Sequence, residues 1–324
     1  MNLAEKYWIG FDLGGTKMLA AALDPGFTII ASKRKKTRGD QSHVTLERIE
    51  GLIRKMLEEN AIDANRIAGI GIGCPGPVEW QTGVVRVAVN LGWKDVPVGK
   101  FLEDKFQCPV AVLNDVDAGV YGEYRFGAGR GSRTTLGIFP GTGIGGGCVY
   151  DGQILRGKHL TSMEIGHIMI TSSPRLGATA MTGTLESEAS RLAIAGEIAK
   201  LAYRGEAPSV FRSAGTDLSK LRSKSISEAI KAGEKSVQAV IENAAQLIGY
   251  AVTNMVHLIG PDCIILGGGL VEAMPELFLR EVIKTAQRSV LPCYADTFRV
   301  KCAELGDNAA VMGAAGWIAK QVSA

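Results

Sequence analysis

The stretch at residues 9–17, IGFDLGGTK, most limits what this chain can become. Tyr7, Trp8, Ile9 and Phe11 bracket Gly10 and lead into Asp12. Gly14-Gly15-Thr16-Lys17 comes next, and a second apolar run follows from Met18 to Leu23. That pattern predicts strand, tight turn, strand. Adjacent glycines permit positive φ and leave no Cβ in a ligand's way. Backbone N–H groups of such a turn can face phosphate oxygens, with Thr16 and Lys17 as further donors. Asp12, at the mouth of the turn, suits a Mg²⁺ held through water. Taken alone, a plain glycine hairpin with a surface Asp reads the same way. It is neither a Walker loop nor a dinucleotide fingerprint, because the turn runs into a strand and not into a helix.

The rest of the chain alternates strand and helix patterns. A turn at Asp24-Pro25-Gly26 precedes a third strand. Residues 45–59 carry Leu46, Ile49, Leu52, Ile53, Met56 and Leu57 at helical spacing. A strand at 67–73 ends in Cys74-Pro75-Gly76-Pro77, which makes a crossover unit with parallel pairing and a rigid loop at the strand's carboxyl end. A strand at 84–89 leads to Asn90-Leu91-Gly92-Trp93, with a helix at 98–106 beyond it. A buried strand at 109–113 delivers Asn114-Asp115, and a helix over 116–127 follows.

Another strand, 136–139, enters a glycine-rich turn at 141–147, and 148–150 continue as strand. This repeats the logic of the first hairpin and predicts a duplicated α/β architecture with a cleft between the halves. Beyond it come Glu164, His167, Glu186 and Glu188, a helical stretch over 185–203, a loop over 205–216 and one or two long helices over 227–259. A buried strand at 263–266 ends in Gly267-Gly268-Gly269. A helix near 276–289, a strand at 298–302 and a closing helix at 309–322 complete the chain.

With 324 residues, 46 % of them hydrophobic, the chain is long enough for about two domains. A net charge of +3 carries no nucleic-acid signature. The short run Lys33-Arg34-Lys35-Lys36 reads as a solvated strand end or loop. Six scattered cysteines without a C-x-x-C pair, and no signal peptide, point to reduced thiols in the cytoplasm. No apolar run reaches the length that spans a bilayer, so no membrane partner is expected. The 41 glycines cluster at a few turns, which suggests ligand loops.

These segments, in this order, resemble the ROK family of sugar kinases and repressors within the actin-like ATPase superfamily. IGFDLGGTK is similar to the first phosphate motif, GIGIGCPGPV to the connecting segment, and AVNLGW with LNDVDAGVYGE to the sugar-site run of bacterial glucokinases. LGIFPGTGIGGG resembles the second phosphate motif, EIGH the sugar-contacting motif and ILGGGL the adenosine motif. The resemblance implies duplicated actin-like ATPase (ribonuclease H-like) domains around an interdomain cleft. The small domain would be residues 1–118 plus 308–324, and the large one residues 119–307.

The resemblance further implies ATP- and Mg²⁺-dependent phosphorylation of a hexose at its 6-hydroxyl, by a homodimer of the glucokinase-like branch. Asp115 would be the catalytic base, a carboxylate within reach of the sugar hydroxyl. From the residues alone, a turn-capping Asp at a strand end is the preferred reading, and the resemblance reverses that preference. Gly76, Asn90, Asn114, Asp115, Glu164, His167 and Glu186 would contact the sugar, Asn90 by orienting its loop. Asp12, Gly14, Gly15, Thr16, Lys17, Gly141, Thr142, Gly143, Gly267, Gly268 and Gly269 would hold the nucleotide, with Asp12 on Mg²⁺ through water. Other acceptors (N-acetylmannosamine, fructose, allose), a polyphosphate donor, and a non-catalytic sugar-binding regulator remain alternatives.

Three departures from the family pattern matter. Many members bind structural Zn²⁺ through the His of EIGH and three later cysteines, whose positions here hold Gly177, Thr179 and Thr184; no zinc is expected. Asp117 stands where the usual run has Asn, and a helix start would point it away from Asp115. The family's repressors carry a winged-helix domain ahead of the first motif, where residues 1–6 stand here, so no DNA binding is expected.

Overall fold

A computed structural model describes residues 6–37, 41–160 and 162–323; residues 1–5 of the leader lie outside them. The chain opens with β1 (Tyr7–Leu13), β2 (Lys17–Leu23), β3 (Ile29–Lys36), α1 (Ser42–Glu59) and β4 (Ile67–Cys74). Next come β5 (Val78–Glu79), β6 (Val84–Ala88), β7 (Trp93–Val96), α2 (Val98–Phe106), β8 (Val110–Asn114) and α3 (Asp115–Phe126). Then follow β9 (Thr134–Pro140), β10 (Ile144–Tyr150), β11 (Gln153–Ile154), α4 (Leu185–Ala189), α5 (Arg191–Tyr203), α6 (Pro208–Ala214) and α7 (Ser223–Lys231). The chain closes with α8 (Lys235–Ile259), β12 (Cys263–Leu266), α9 (Gly269–Ala273), α10 (Pro275–Ser289), β13 (Arg299–Cys302) and α11 (Ala309–Ser323).

One five-stranded sheet has the order β3-β2-β1-β4-β8, and a second has the order β11-β10-β9-β12-β13. The orders correspond position for position, which is the expected duplication. In each, a glycine turn joins the central strand to its hairpin neighbour. The chain divides into two compact units, Met1–Gly131 with Cys148–Met163 and Glu304–Ala324, and Ser132–Gly147 with Glu164–Ala303. The expected boundary at residue 118 falls inside α3, which stays whole in the first unit.

In the first unit, β4 is buried along its whole length and pairs in parallel with β1 and β8. A strand covered on both faces needs helices on both sides. Helix α1 presents the apolar stripe read from its sequence, all of it buried. Helix α11 lies on β1, β4 and α3. It comes close enough that a Cβ on Gly10 would sit 1.9 Å from the Val311 carbonyl oxygen, and one on Gly71 1.9 Å from that of Ala314. A Cβ on Gly313 would lie 1.7 Å from the Ala118 carbonyl oxygen. In the second unit, β12 pairs in parallel with β9 and β13, and α8 packs against α10. No helix among the described residues is long and apolar enough to cross a membrane.

Several local expectations need correction. The glycine turn is shorter than read, because β10 begins at Ile144 and leaves only residues 141–143 in the turn. The segment read as a loop over 205–216 contains α6, started by Pro208 at a first-turn position where its missing N–H costs nothing. The helical stretch over 185–203 breaks at Ser190, whose hydroxyl accepts from the Ala193 N–H and caps α5. Helix α3 starts one residue early, so Asn114 is its cap.

Candidate functional site

The candidate residues form two groups, one in each unit. In the first, strand register brings chemistry to one sheet edge. Asp12 pairs across from Gly73, Gly73 from Leu113, and Cys74 from Asn114. Asp12 and Asn114 therefore sit on strands two spacings apart, roughly 10 Å. Asn114 organises the region between them. Its Oδ1 accepts from the N–H groups of Val116 (2.9 Å) and Asp117 (3.2 Å), and its Nδ2 donates to the Gly76 carbonyl (3.2 Å). The same side chain starts α3 and pins the loop after β4.

Asp115 is thereby the first residue of α3, its Oδ1 accepting from the Val116 N–H at 3.0 Å. Gly73 makes room for it: a Cβ there would lie 3.3 Å from the Asp115 Cα. Gly76 has φ +85° and would drive a Cβ to 1.9 Å from the Val87 carbonyl oxygen, so only glycine fits.

Asp12 is largely buried, and burial pushes its carboxyl up from 3.8 to about 6 against the pull of Lys17 and Arg34. Both Asp12 and Asp115 bear on the buried Cys74 thiol, which burial first and these carboxylates next hold well above its ordinary value. Two carboxylates thus share one neighbourhood. The first turn is closed by Gly14 N–H on the Lys17 carbonyl (3.0 Å) and pinned by the Thr37 hydroxyl on the Gly14 carbonyl (2.7 Å).

Neither Gly14 nor Gly15 has positive φ, contrary to the reading of the turn. They supply room: a Cβ on Gly14 would lie 2.8 Å from the Lys17 carbonyl oxygen, and one on Gly15 3.4 Å from the Asn90 Cβ. Asn90 therefore stands beside the first glycine turn. Lys17 is engaged with Asp307 at 2.8 Å, which Arg34 also reaches at 2.9 Å.

Asp117 acts elsewhere. Only 2 % exposed, its carboxylate bears on Arg156 and on the Cys148 thiol, whereas that of Asp115 bears on Cys74. Arg156 lies over the ring of Trp80 at 4.3 Å and over that of Trp317 at 4.8 Å.

In the second unit the turn at Gly141-Thr142-Gly143 is closed by Gly141 N–H on the Gly143 carbonyl at 2.8 Å. Glu186 reaches its exit, with Oε2 accepting from the Ile144 N–H at 2.9 Å; a Cβ on Gly143 would lie 2.2 Å from that oxygen. Glu164 and His167 sit on one short turn, the His167 N–H on the Glu164 carbonyl at 2.9 Å. A Cβ on Gly166 would lie 2.2 Å from the Ile144 carbonyl oxygen, so this turn rests directly on the start of β10. The buried His167 Nδ1 has no hydrogen-bond partner among the described residues. Gly267 and Gly268 flank the entry to the same turn. Gly268 has φ +82°, and a Cβ on it would come within 2.9 Å of the Pro140 carbonyl oxygen. A pocket of about 880 Å³ is lined by Arg191, Arg222, Lys224, Glu228, Gly269 and Glu272, among others.

The loop that bears the departures is held by Arg175, which pairs with Glu188 (3.3 Å) and Glu197 (3.0 Å). Thr184 caps α4 by accepting from the Ser187 N–H at 3.1 Å and so places Glu186. Sequence reasoning missed Arg175, Arg191 and Asp307, which have no local motif. It also missed the capping role of Asn114, although an Asn just before a helix is a readable signal.

A family model described as the ROK family matches residues 8–321. The glucokinase of Halalkalibacterium halodurans is 33 % identical over 326 residues, 98 % of this chain and 96 % of that protein. A xylose repressor of Caldicellulosiruptor bescii is 30 % identical over 278 residues, 85 % of this chain and 68 % of the repressor. The crystal structure of a ROK family glucokinase from Streptomyces griseus in complex with glucose and AMPPNP matches with a TM-score of 0.80 at 28 % identity, covering 96 % of this chain and 98 % of that one.

Proposed function

The chain belongs to the ROK family, with its duplicated actin-like ATPase fold, and we propose that it is an ATP- and Mg²⁺-dependent kinase phosphorylating an aldohexose, glucose first, at the 6-hydroxyl. Support comes from the glucokinase at 33 % identity and from the Streptomyces griseus enzyme with glucose and AMPPNP. The observation that carries the reading is Asp115, fixed by the Asn114 cap at the start of α3 on the sheet edge that also holds Asp12. Asp115 accepts the proton of the sugar hydroxyl as its oxygen bonds the γ-phosphorus. The bond from that phosphorus to the β–γ bridging oxygen breaks, and ADP leaves.

Asp12 fits a Mg²⁺ role. It is a buried carboxylate held up to about 6, which a cation would neutralise, and Mg²⁺ commonly takes one carboxylate plus substrate phosphates. When bound, the ion offsets charge on the donor phosphates. Gly15, Thr16, Thr142 and Gly143 offer N–H groups to those phosphates, Gly14 and Gly141 close the two turns that present them, and Gly267–Gly269 border the nucleoside. In this reading Lys17 acts through its field on Asp12, and Asn90 sits on the phosphate side. Asn114 and the Gly76 loop, Glu164, His167 and the remaining oxygen of Glu186 contact the sugar.

A second reading, a sugar-binding regulator without catalysis, is favoured by the repressor relative at 30 % identity. Coupled ADP release over glucose, N-acetylmannosamine, fructose and allose, with ATP or polyphosphate as donor, separates the two. Turnover with ATP, highest on glucose, is expected. Calorimetric sugar binding without ADP release on any hexose would favour the regulator.

A further inference from the structure

We propose that Arg191 grips the phosphate chain of the donor, an inference that rests on the kinase reading above. Arg191 is tied to the second glycine turn at two points, its backbone N–H on the Gly141 carbonyl (2.9 Å) and its Nη2 on the Thr142 hydroxyl (2.6 Å). It forms no ion pair among the described residues, and it lines the pocket of about 880 Å³ that reaches Gly269. A guanidinium has five N–H donors, and Thr142 takes one. The others, with a full positive charge, remain for an anion entering between the Gly141–Gly143 turn and Gly269. Two anchoring bonds restrict the side chain before binding, so the grip costs little further ordering. Arg222 and Lys224 add positive charge to the same pocket, and Glu228 and Glu272 add carboxylates. Lys231 is a further cation of the lining, and ribose hydroxyls would satisfy the two carboxylates, a contact that a bare polyphosphate lacks. A nucleoside triphosphate therefore fits this pocket better than a bare polyphosphate, with its β- and γ-phosphates at Arg191.

The test is calorimetric binding of ATP, ADP, AMP, tripolyphosphate and glucose to the wild type, Arg191→Met and Arg191→Lys. Losing a charged hydrogen-bond donor is expected to weaken ATP and ADP about tenfold to a hundredfold, with AMP and glucose within twofold. Arg191→Lys should recover part of the loss, because it keeps the charge without the fork. In the wild type, tripolyphosphate should bind more weakly than ATP. Unchanged ATP affinity in Arg191→Met, or equal losses for ATP and AMP, would reduce Arg191 to a brace of the turn. Should Arg191→Met fail to fold, undiminished ATP affinity in Arg191→Lys would overturn the grip. A wild type that binds tripolyphosphate as tightly as ATP would overturn the choice of donor alone. A wild type that binds no nucleotide at all would remove the kinase reading, and this inference with it.

Discussion

Asp12→Asn should make the protein more stable and less active at once. Burial raises the Asp12 carboxyl from 3.8 to about 6. Between those values the native state keeps a proton that the unfolded chain has lost. Stability therefore falls as pH rises through that window and is flat above it. The rise from 3.8 to about 6 corresponds to about 3 kcal/mol at pH 7.5, and about half of that at pH 5. Asparagine keeps the shape of the side chain and carries no charge to desolvate, so the variant escapes this penalty.

Urea unfolding of both proteins at pH 5 and pH 7.5 measures the gap. The variant should lead by about 3 kcal/mol at the higher pH and by about half that at the lower. Adding ATP with Mg²⁺ should then stabilise the wild type more than the variant, because the cation relieves the very charge the substitution removed. ADP release should fall in the variant despite its firmer fold. An Asp12→Asn protein no more stable than wild type at pH 7.5 would refute the reasoning, as would a lead that does not change between the two pH values. Either result would mean that Lys17 and Arg34 already compensate the buried charge.

Three further outcomes follow from the geometry. Asp115→Asn should lower turnover by about 10²–10⁴ while hexose affinity by calorimetry stays within twofold; near wild-type turnover would take Asp115 out of the mechanism. Gly313→Ala places a Cβ 1.7 Å from the Ala118 carbonyl oxygen and 2.6 Å from the Gly122 nitrogen, both backbone atoms that cannot swing aside. It should cost about 1–3 kcal/mol in a urea melt, and an unchanged midpoint would show that α11 and α3 separate freely. Arg175→Met strips the partner from Glu188, whose side chain is only 8 % exposed. It should cost about 1–3 kcal/mol, raise the KM for hexose and expose residues 171–184 to proteolysis, while wild-type protein treated with a zinc chelator and then assayed with Mg²⁺ restored keeps its KM.

The sheet edge and both hairpins were legible because their signals are local: apolar runs of period two, a glycine turn, and a carboxylate at a strand's end. Arg191 and Arg175 were not, because each works through partners that register and loop closure bring near: Thr142 for the first, Glu188 and Glu197 for the second. The glycines show the limit most clearly. In the sequence they read as ligand loops, and Gly76 and Gly268 have the backbone that such loops need. Gly10, Gly71, Gly122 and Gly313 instead let α11 touch β1, β4 and α3 through backbone atoms, where a Cβ would meet a carbonyl oxygen at 1.7–2.1 Å. The two uses look alike in one dimension, because both ask only that the side chain be missing. What separates them is whether the vacated space is filled by the protein's own backbone or left for a ligand. At Gly73 the uses meet: the space it leaves is taken by Asp115, so a packing glycine sets the depth at which the carboxylate stands on the sheet edge.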